Sequence, residues 1–423
     1  SAFSGGTVIN GSQQQFLVRN SNLDGWTNGV WDQVFSGDVG APAQSFPNPP
    51  YTTLPTSPVT REEPFLFTDS SGKFEVMVPA VQHNSVGTSW SNGATPGRVI
   101  SIKHFFIAQP GESVKSINKA LAHGMDLILT PGVYSLDRTI RVTHPDTVVL
   151  GLGFPTLVAE NGIVSMKVNA DRGVELSGMI FDAGAKNSSA LLEVAAGHGR
   201  GHGHGHHDRT TRSHHGGGGG SAANDPSTLQ DVFFRIGGAE PGRATTSLVV
   251  NADHVILDDV WAWRADHGAG VGWNSNTADT GLVVNGADVT AYGLFVEHYQ
   301  KYQVIWNGQG GTDIFFQNEM PYDPPDQASW MASSQTDGYP AFLVTSRVAS
   351  FQGYGMASYC YFNQGVPIFA SRAFQIPVNP GVQLHDVLTR FLNGSGGIYH
   401  VVNDTGAEVS QANPGPSNVV SYP

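Results

Sequence analysis

Apolar positions along this chain fall into short alternating runs, and the runs recur. Val168-Asn169 leads into GVELSGMIFDAG, Val250-Asn251 into ADHVILDDVWAW, Val284-Asn285 into GADVTAYGLFVE, and Val378-Asn379 into PGVQLHDVLTRF. Each copy reads as a strand, an Asn turn, an apolar strand, a polar or glycine kink, and another strand. Irregular repeats of 22 to 34 residues built this way predict a β-solenoid. The recurring asparagines are expected to stack at a turn. No helices of 10–15 residues intervene between the runs, which excludes a doubly wound sheet or a βα barrel.

One helix is predicted, in 111–122 (GESVKSINKALA). Ser113 is its N-cap, Val114, Ile117, Ala120 and Leu121 form its apolar stripe, and Gly124 ends it. A strand follows at 127–130, so the helix is placed to cap the open edge of the first rung. Upstream, 66–78 reads as a hairpin turning at Asp69-Ser70-Ser71-Gly72. Three segments result. Residues 1–40 are terminal rungs of a possible first β-helix, 41–100 a Pro-rich connector and hairpin, and 101–423 a parallel β-helix. The rungs in 1–40 have nothing before them to cap them, so an earlier part of the protein is expected to be absent or supplied by another chain.

Composition adjusts this picture at a few points. Charged residues make up only 13% of the 423, glycine is frequent at 52, and the net charge is −13. Low charge with many Gly, Asn, Thr and Val suits an all-β chain, and the negative balance argues against nucleic acid or an anionic membrane as partner. No apolar stretch approaches the ~18 residues of a spanning helix. The single cysteine, Cys360, permits no internal disulfide. Sequons at Asn10, Asn187, Asn393 and Asn403 lean towards secretion. Seven histidines crowd into 197–220 (GHGRGHGHGHHDRTTRSHHGGGGG), but no spacing there defines a metal site. That tract reads as a low-complexity loop, and neither a metal nor another cofactor is expected.

Candidate chemistry gathers in 294–325, LFVEHYQKYQVIWNGQGGTDIFFQNEMPYDPP. Glu297 and Glu319 lie 22 residues apart there, about one solenoid turn, among Phe295, Tyr299, Tyr302, Trp306, Phe315 and Tyr322. Adjacent rungs stand about 4.8 Å apart. The two carboxyls would be neighbours, and one would be driven to its protonated form. A carboxylic acid beside a carboxylate is what a glycosidase needs. A rival site is Asp258-Asp259 with Asp266 and Asp279, suited to a polygalacturonase-like hydrolase. The turn-forming contexts of Asp266-His267-Gly268 and Asp279-Thr280-Gly281 read equally as structure, with Asp266 still able to line a sugar subsite. Trp261, Trp263, Trp273, Trp306 and Trp330 could supply one or two sugar platforms, although large aromatics are mostly core. A lyase is disfavoured, because polyanionic substrates call for a Lys/Arg cluster the chain lacks. A non-catalytic carbohydrate-binding or structural β-helix is the remaining alternative.

Arg264-Ala265-Asp266-His267-Gly268, VEHYQKYQ at 296–303 and QNEMPYDPP at 317–325 resemble, in order and spacing, the family 55 glycoside hydrolases, exo-acting β-1,3-glucanases (laminarinases). The resemblance is tightest over 260–325. It implies a pair of right-handed, pectate-lyase-like β-helices with the glucan cleft between them, and an inverting reaction. It places the general acid at Glu319 and puts Glu297 with Tyr322 around the attacking water. From the first helix, Gln13, Gln15 and Ser36 are candidates to hold that water. Asp266, His298 and Trp306 would face the sugar. Inverting enzymes separate their carboxyls by about 6.5–9.5 Å. Directly stacked rungs are closer, so either Glu297 is the base or it tunes a network in which another group positions the water.

Overall fold

The computed structural model describes residues 1–11, 14–195 and 221–423. The His- and Gly-rich loop expected at 197–220, with its metal question, and the candidate Gln13 lie outside the described residues. The remainder is dominated by stacked parallel strands. One 13-stranded sheet runs through Glu175–Ala183, Ser227–Ile236, Val255–Arg264, Thr290–Glu297, Gly311–Glu319, Phe351–Phe362 and Val382–Gly394, and ends on the antiparallel strand Ser417–Tyr422. A second, 8-stranded sheet takes the intervening strands, among them Ala244–Val250, Thr280–Val284, Val304–Trp306 and Phe342–Val344. The chain passes from one sheet to the other and back, pairing each strand in parallel with its counterpart one repeat later.

Registration of like with like explains the stacking. Val250, Val284, Trp306 and Val344 are opposed in sequence along the smaller sheet, and all four are buried between the sheets. Burying each such side chain stabilises the fold by roughly 1.5–3 kcal/mol. Directly after this row the expected asparagine stack forms. Asn285 Nδ2 donates to Asn251 Oδ1 at 2.7 Å, Asn307 Nδ2 donates to Asn285 Oδ1 at 2.8 Å, and Thr345 Oγ1 donates to Asn307 Oδ1 at 3.0 Å. Asn379, expected to belong to the same series, instead accepts from the Gly381 N–H in a local turn, and Val378 is exposed.

The predicted kinks are a single column. Gly178, Asp231, Asp259, Gly293, Phe315, Gly355 and Asp386 all have positive φ, and strand register places them side by side. A bend there in one strand forces the next to bend at the same place. Gly and Asp tolerate the left-handed region well, whereas Phe315 occupies it at φ 76°, held by burial against Val34, Ile256, Tyr292 and Ile314.

The helix spans Val114–Ala122, with Ser113 Oγ accepting from the Ser116 N–H and the expected stripe buried. Phe65–Thr68 and Phe74–Pro79 form the hairpin. The connector is more ordered than its prolines suggest. Within 41–64, Tyr51–Leu54 joins Gln15–Arg19 and Asp32–Ser36 as a third parallel strand, and Ser57–Thr60 pairs with Gln82–Ser85. Pro49, Pro50 and Pro55 flank that third strand without interrupting it, so its ladder keeps its donors. This N-terminal sheet lies on the outer face of the long sheet, with Val34 packed against Ile256, Tyr292, Ile314 and Phe315.

Candidate active site

Glu297 and Glu319 close the strands Thr290–Glu297 and Gly311–Glu319. Phe295 opposes Gln317, and the same 22-residue offset carried to the strand ends opposes the two glutamates. The His298 N–H donates to the Glu319 backbone oxygen at 2.9 Å, locking that register. The carboxyls are held by different partners. Glu297 Oε2 accepts from Trp261 Nε1 at 2.8 Å, on the rung before it. Glu319 Oε1 accepts from Gln14 Nε2 at 2.7 Å, and its Oε2 from the Tyr322 hydroxyl.

Burial pushes the Glu319 carboxyl up to about 8, and the negative field of Glu297 and, less strongly, of Asp266 adds to the shift while Gln14 opposes it. Glu319 therefore holds its proton at neutral pH. His298 stands behind it, with Nε2 4.0 Å from Glu319 Oε2 and 3.9 Å from Asp266 Oδ1. Its ring lies edge-on to Tyr322 at 4.4 Å, and burial lowers its pKa, which favours the neutral imidazole.

Arg264, only 1% exposed, ties the site together from below. Its Nη1 and Nη2 donate to both oxygens of Asp323 at 2.8 and 2.9 Å, and Nη1 also donates to the His298 carbonyl at 3.2 Å. Nε donates to the Asn276 carbonyl at 2.8 Å. The fork holds the segment carrying Tyr322 against the one carrying His298. Sequence reasoning used Arg264 only as part of a motif and overlooked Asp323. The motif QNEMPYDPP did contain the signal, since an Asp beside prolines in an aromatic run needs a partner.

Several expected residues lie elsewhere. Trp306 does not face the site: it is fully buried, stacked on Phe342 and edge-on to Phe351. The signal was present, because Trp306-Asn307 occupies the place of Val284-Asn285 in the repeat. Ser36 is also fully buried, its hydroxyl bonded to that of Ser57 at 2.8 Å, and it offers nothing to a water at the site. Gln15 is buried with Nε2 donating to the Gly355 carbonyl at 3.0 Å, although it borders a cavity that Glu297 also lines. Among the described residues of that stretch, it is Gln14, not chosen from the sequence, whose amide reaches Glu319. Asp266 lies beside His298, its Oδ1 3.9 Å from Nε2.

Of the rival aspartates, Asp258 and Asp259 line the same cavity as Glu297, but their side chains are engaged structurally. Asp258 is paired with Arg19 at 2.6 Å, Asp259 sits in the kink column, and Asp279 pairs with Lys301 at 2.8 Å. Of the tryptophans, Trp330 is core and Trp273 lies under the Arg264 guanidinium. Trp261 is 38% exposed and stacks on Trp263 at 5.6 Å, beside Glu297. That cavity, about 580 Å³, separates the N-terminal strand from the long sheet and is bordered by Phe16, Phe233, Trp261 and Phe295. Among the described residues no group of His, Cys, Asp and Glu has the geometry of a metal site.

A protonated carboxyl opposed to a second carboxyl that lines an aromatic cleft, on stacked parallel strands, is the arrangement of a carboxyl-pair glycosidase. The model of the LAM55 pectate lyase-like domain matches residues 105–319, just over half of the chain, and the chain belongs to this family, that of the family 55 glycoside hydrolases. An exo-β-1,3-glucanase of Streptomyces sp. (strain SirexAA-E / ActE) is 48% identical over 412 residues. Those residues are 97% of this chain, which spans 65% of that relative's length. The structure of sacteLam55A from Streptomyces sp. SirexAA-E superposes with a TM-score of 0.91 at 47% identity, covering 99% of this chain and 72% of that one. An alanine-for-glutamate variant of that protein in complex with glucose superposes with a TM-score of 0.90 at 46% identity, over the same shares of the two chains.

Proposed function

We propose that this chain is a secreted, inverting exo-β-1,3-glucanase built on a right-handed parallel β-helix, with Glu319 as its general acid. The observation that carries this reading is the opposition of Glu319, held protonated at about 8, to Glu297 across one rung. Glu319 passes its proton to the glycosidic oxygen as the bond from the anomeric carbon breaks. The carboxylate left behind is stabilised by the Tyr322 hydroxyl and the Gln14 amide already bonded to it. A water on the opposite face of the sugar gives its proton towards Glu297 and its oxygen to the anomeric carbon.

Two features of the site support this reading. Glu297 is held by Trp261 on the preceding rung while Gln14 and Tyr322 hold Glu319, so the two carboxyls are fixed independently, as separate acid and base roles require. The cleft beside Glu297 is walled by Phe16, Phe233, Trp261 and Phe295, rings suited to the apolar face of a sugar, and of its charged lining residues Arg19 and Asp258 are paired with each other. A polymeric substrate of this kind is met outside the cell.

Laminarin hydrolysis by wild type and Glu319→Gln tests the assignment. The variant is expected to lose about 10²–10⁴-fold in kcat, the usual worth of a general acid. Unchanged turnover in the variant rejects Glu319 as the acid, and an inert wild type favours a non-catalytic carbohydrate-binding chain. The anomer first released, followed by NMR, separates inversion (α-glucose) from retention (β-glucose).

A further inference from the structure

On the far side of the kink column from Glu319, a second cleft of about 560 Å³ opens between residues 44–58, the long sheet and the C-terminal strand. Thr312, one of its walls, is the second residue of the strand that Glu319 ends, so the two sites are roughly 20 Å apart along that strand. Tyr354 and His385, opposed on neighbouring strands, stack with ring centroids 4.9 Å apart and planes only 15° from parallel. One row earlier stand Thr312 and Gln352, also opposed. Asp386, 3% exposed, accepts from Gln44 Nε2 at 2.6 Å, while Gln44 Oε1 accepts from the Thr53 N–H at 2.7 Å. The connector is thereby fastened over the cleft. Among the described lining residues there is no Lys or Arg, so an anion finds no counter-charge, and burial lowers the His385 pKa and keeps the ring neutral.

Flat aromatic rings bordered by amides, hydroxyls and one carboxylate suit a neutral polyhydroxyl ligand. The apolar face of a pyranose packs on the rings, and its hydroxyls bond to the rim. We propose that this cleft is a second carbohydrate site, separate from the Glu319 site, that takes glucosyl units of a β-1,3-glucan chain. The substrate class rests on the function proposed above. A second foothold on the same polymer raises the effective concentration of chain ends at the first, an advantage that grows with chain length and vanishes for a disaccharide.

The test is calorimetric titration of the full chain carrying Glu319→Gln with laminarihexaose, alone and combined with Tyr354→Ala or Gln352→Ala. Two binding sites are expected in Glu319→Gln, with one of them weakened about tenfold or lost in both double variants. In the otherwise wild-type enzyme, Tyr354→Ala is expected to raise KM for long laminarin several-fold and leave kcat/KM for laminaribiose unchanged. One site in Glu319→Gln, or two sites that persist in both double variants, overturns the proposal. If wild type hydrolyses laminarin while only one site is found, the second site alone is rejected. If wild type is inert but binding depends on Tyr354, the proposed activity is rejected and the second site stands.

Discussion

Two buried carboxyls on the long sheet are each met by a side chain from the N-terminal strand region, and they are handled in opposite ways. Asp258 receives the Arg19 guanidinium at 2.6 Å, whereas Glu319 receives the Gln14 amide at 2.7 Å. Burial raises both carboxyl pKa values, but at Asp258 a full positive charge pulls the group back towards its ionised form. An amide can bond to a carboxylate without removing its ability to hold a proton. The first contact fastens one layer to another, and the second leaves an acid available. Two residues five positions apart along one short extended segment thus separate a structural carboxyl from a reactive one.

The largest effect is expected on the structural side. Arg19→Ala leaves Asp258 buried without its cation and should destabilise the fold by about 3–5 kcal/mol, seen as a lower urea midpoint. Loss of the inter-layer ion pair without loss of stability would mean that apolar packing around Val34 alone holds the N-terminal sheet. The converse change, Gln14→Lys, brings a cation to Glu319. It should lower that carboxyl's pKa by about 1–3 units and move the alkaline limb of the kcat/KM profile down with it. In wild type that limb should fall as pH rises through about 8, as Glu319 loses its proton. A limb that Gln14→Lys leaves in place would show that another group donates the proton.

The same shift is a statement about stability. Glu319 has its ordinary value of 4.5 in the unfolded chain and about 8 in the folded one, so the folded state binds the extra proton between them. Its contribution is fully present below 4.5 and is lost as pH rises through about 8. Glu319→Gln, which cannot ionise, should therefore gain on wild type by about 3 kcal/mol more at pH 8 than at pH 5, measured by denaturant unfolding. Equal gains at both pH values would place the ionised form in a well-solvated setting. The smallest effect is on the asparagine stack. Asn285→Ala interrupts the ladder between Asn251 and Asn307 and should cost about 1 kcal/mol with laminarin turnover unchanged.

Local regularities were open to reading from the chain. The helix with its Ser113 cap, the hairpin at 66–78, the kinks and the Val-Asn turns each follow from a few neighbouring residues and one periodicity. So does the 22-residue offset that opposes Glu297 to Glu319, because a repeat length converts directly into a rung. Trp306 was misread through its aromatic neighbours, although its place in the repeat marks it as core. In a strand, one position decides between interior and exterior, and the rung before and the rung after set that choice.

Contacts between distant segments belong to the tertiary structure alone. Nothing in the run of glutamines distinguishes Gln14, which reaches Glu319, from Gln15, which reaches the Gly355 carbonyl; the path of the N-terminal strand over the sheet does. Arg264 and Asp323, 59 residues apart, meet because the coil returns, and the connector becomes a sheet strand because its neighbour is already in place. Periodicity along the chain specifies which residues share a face and a rung. Which side chains from separate layers meet across a gap depends on how those layers dock, and no local pattern encodes that angle.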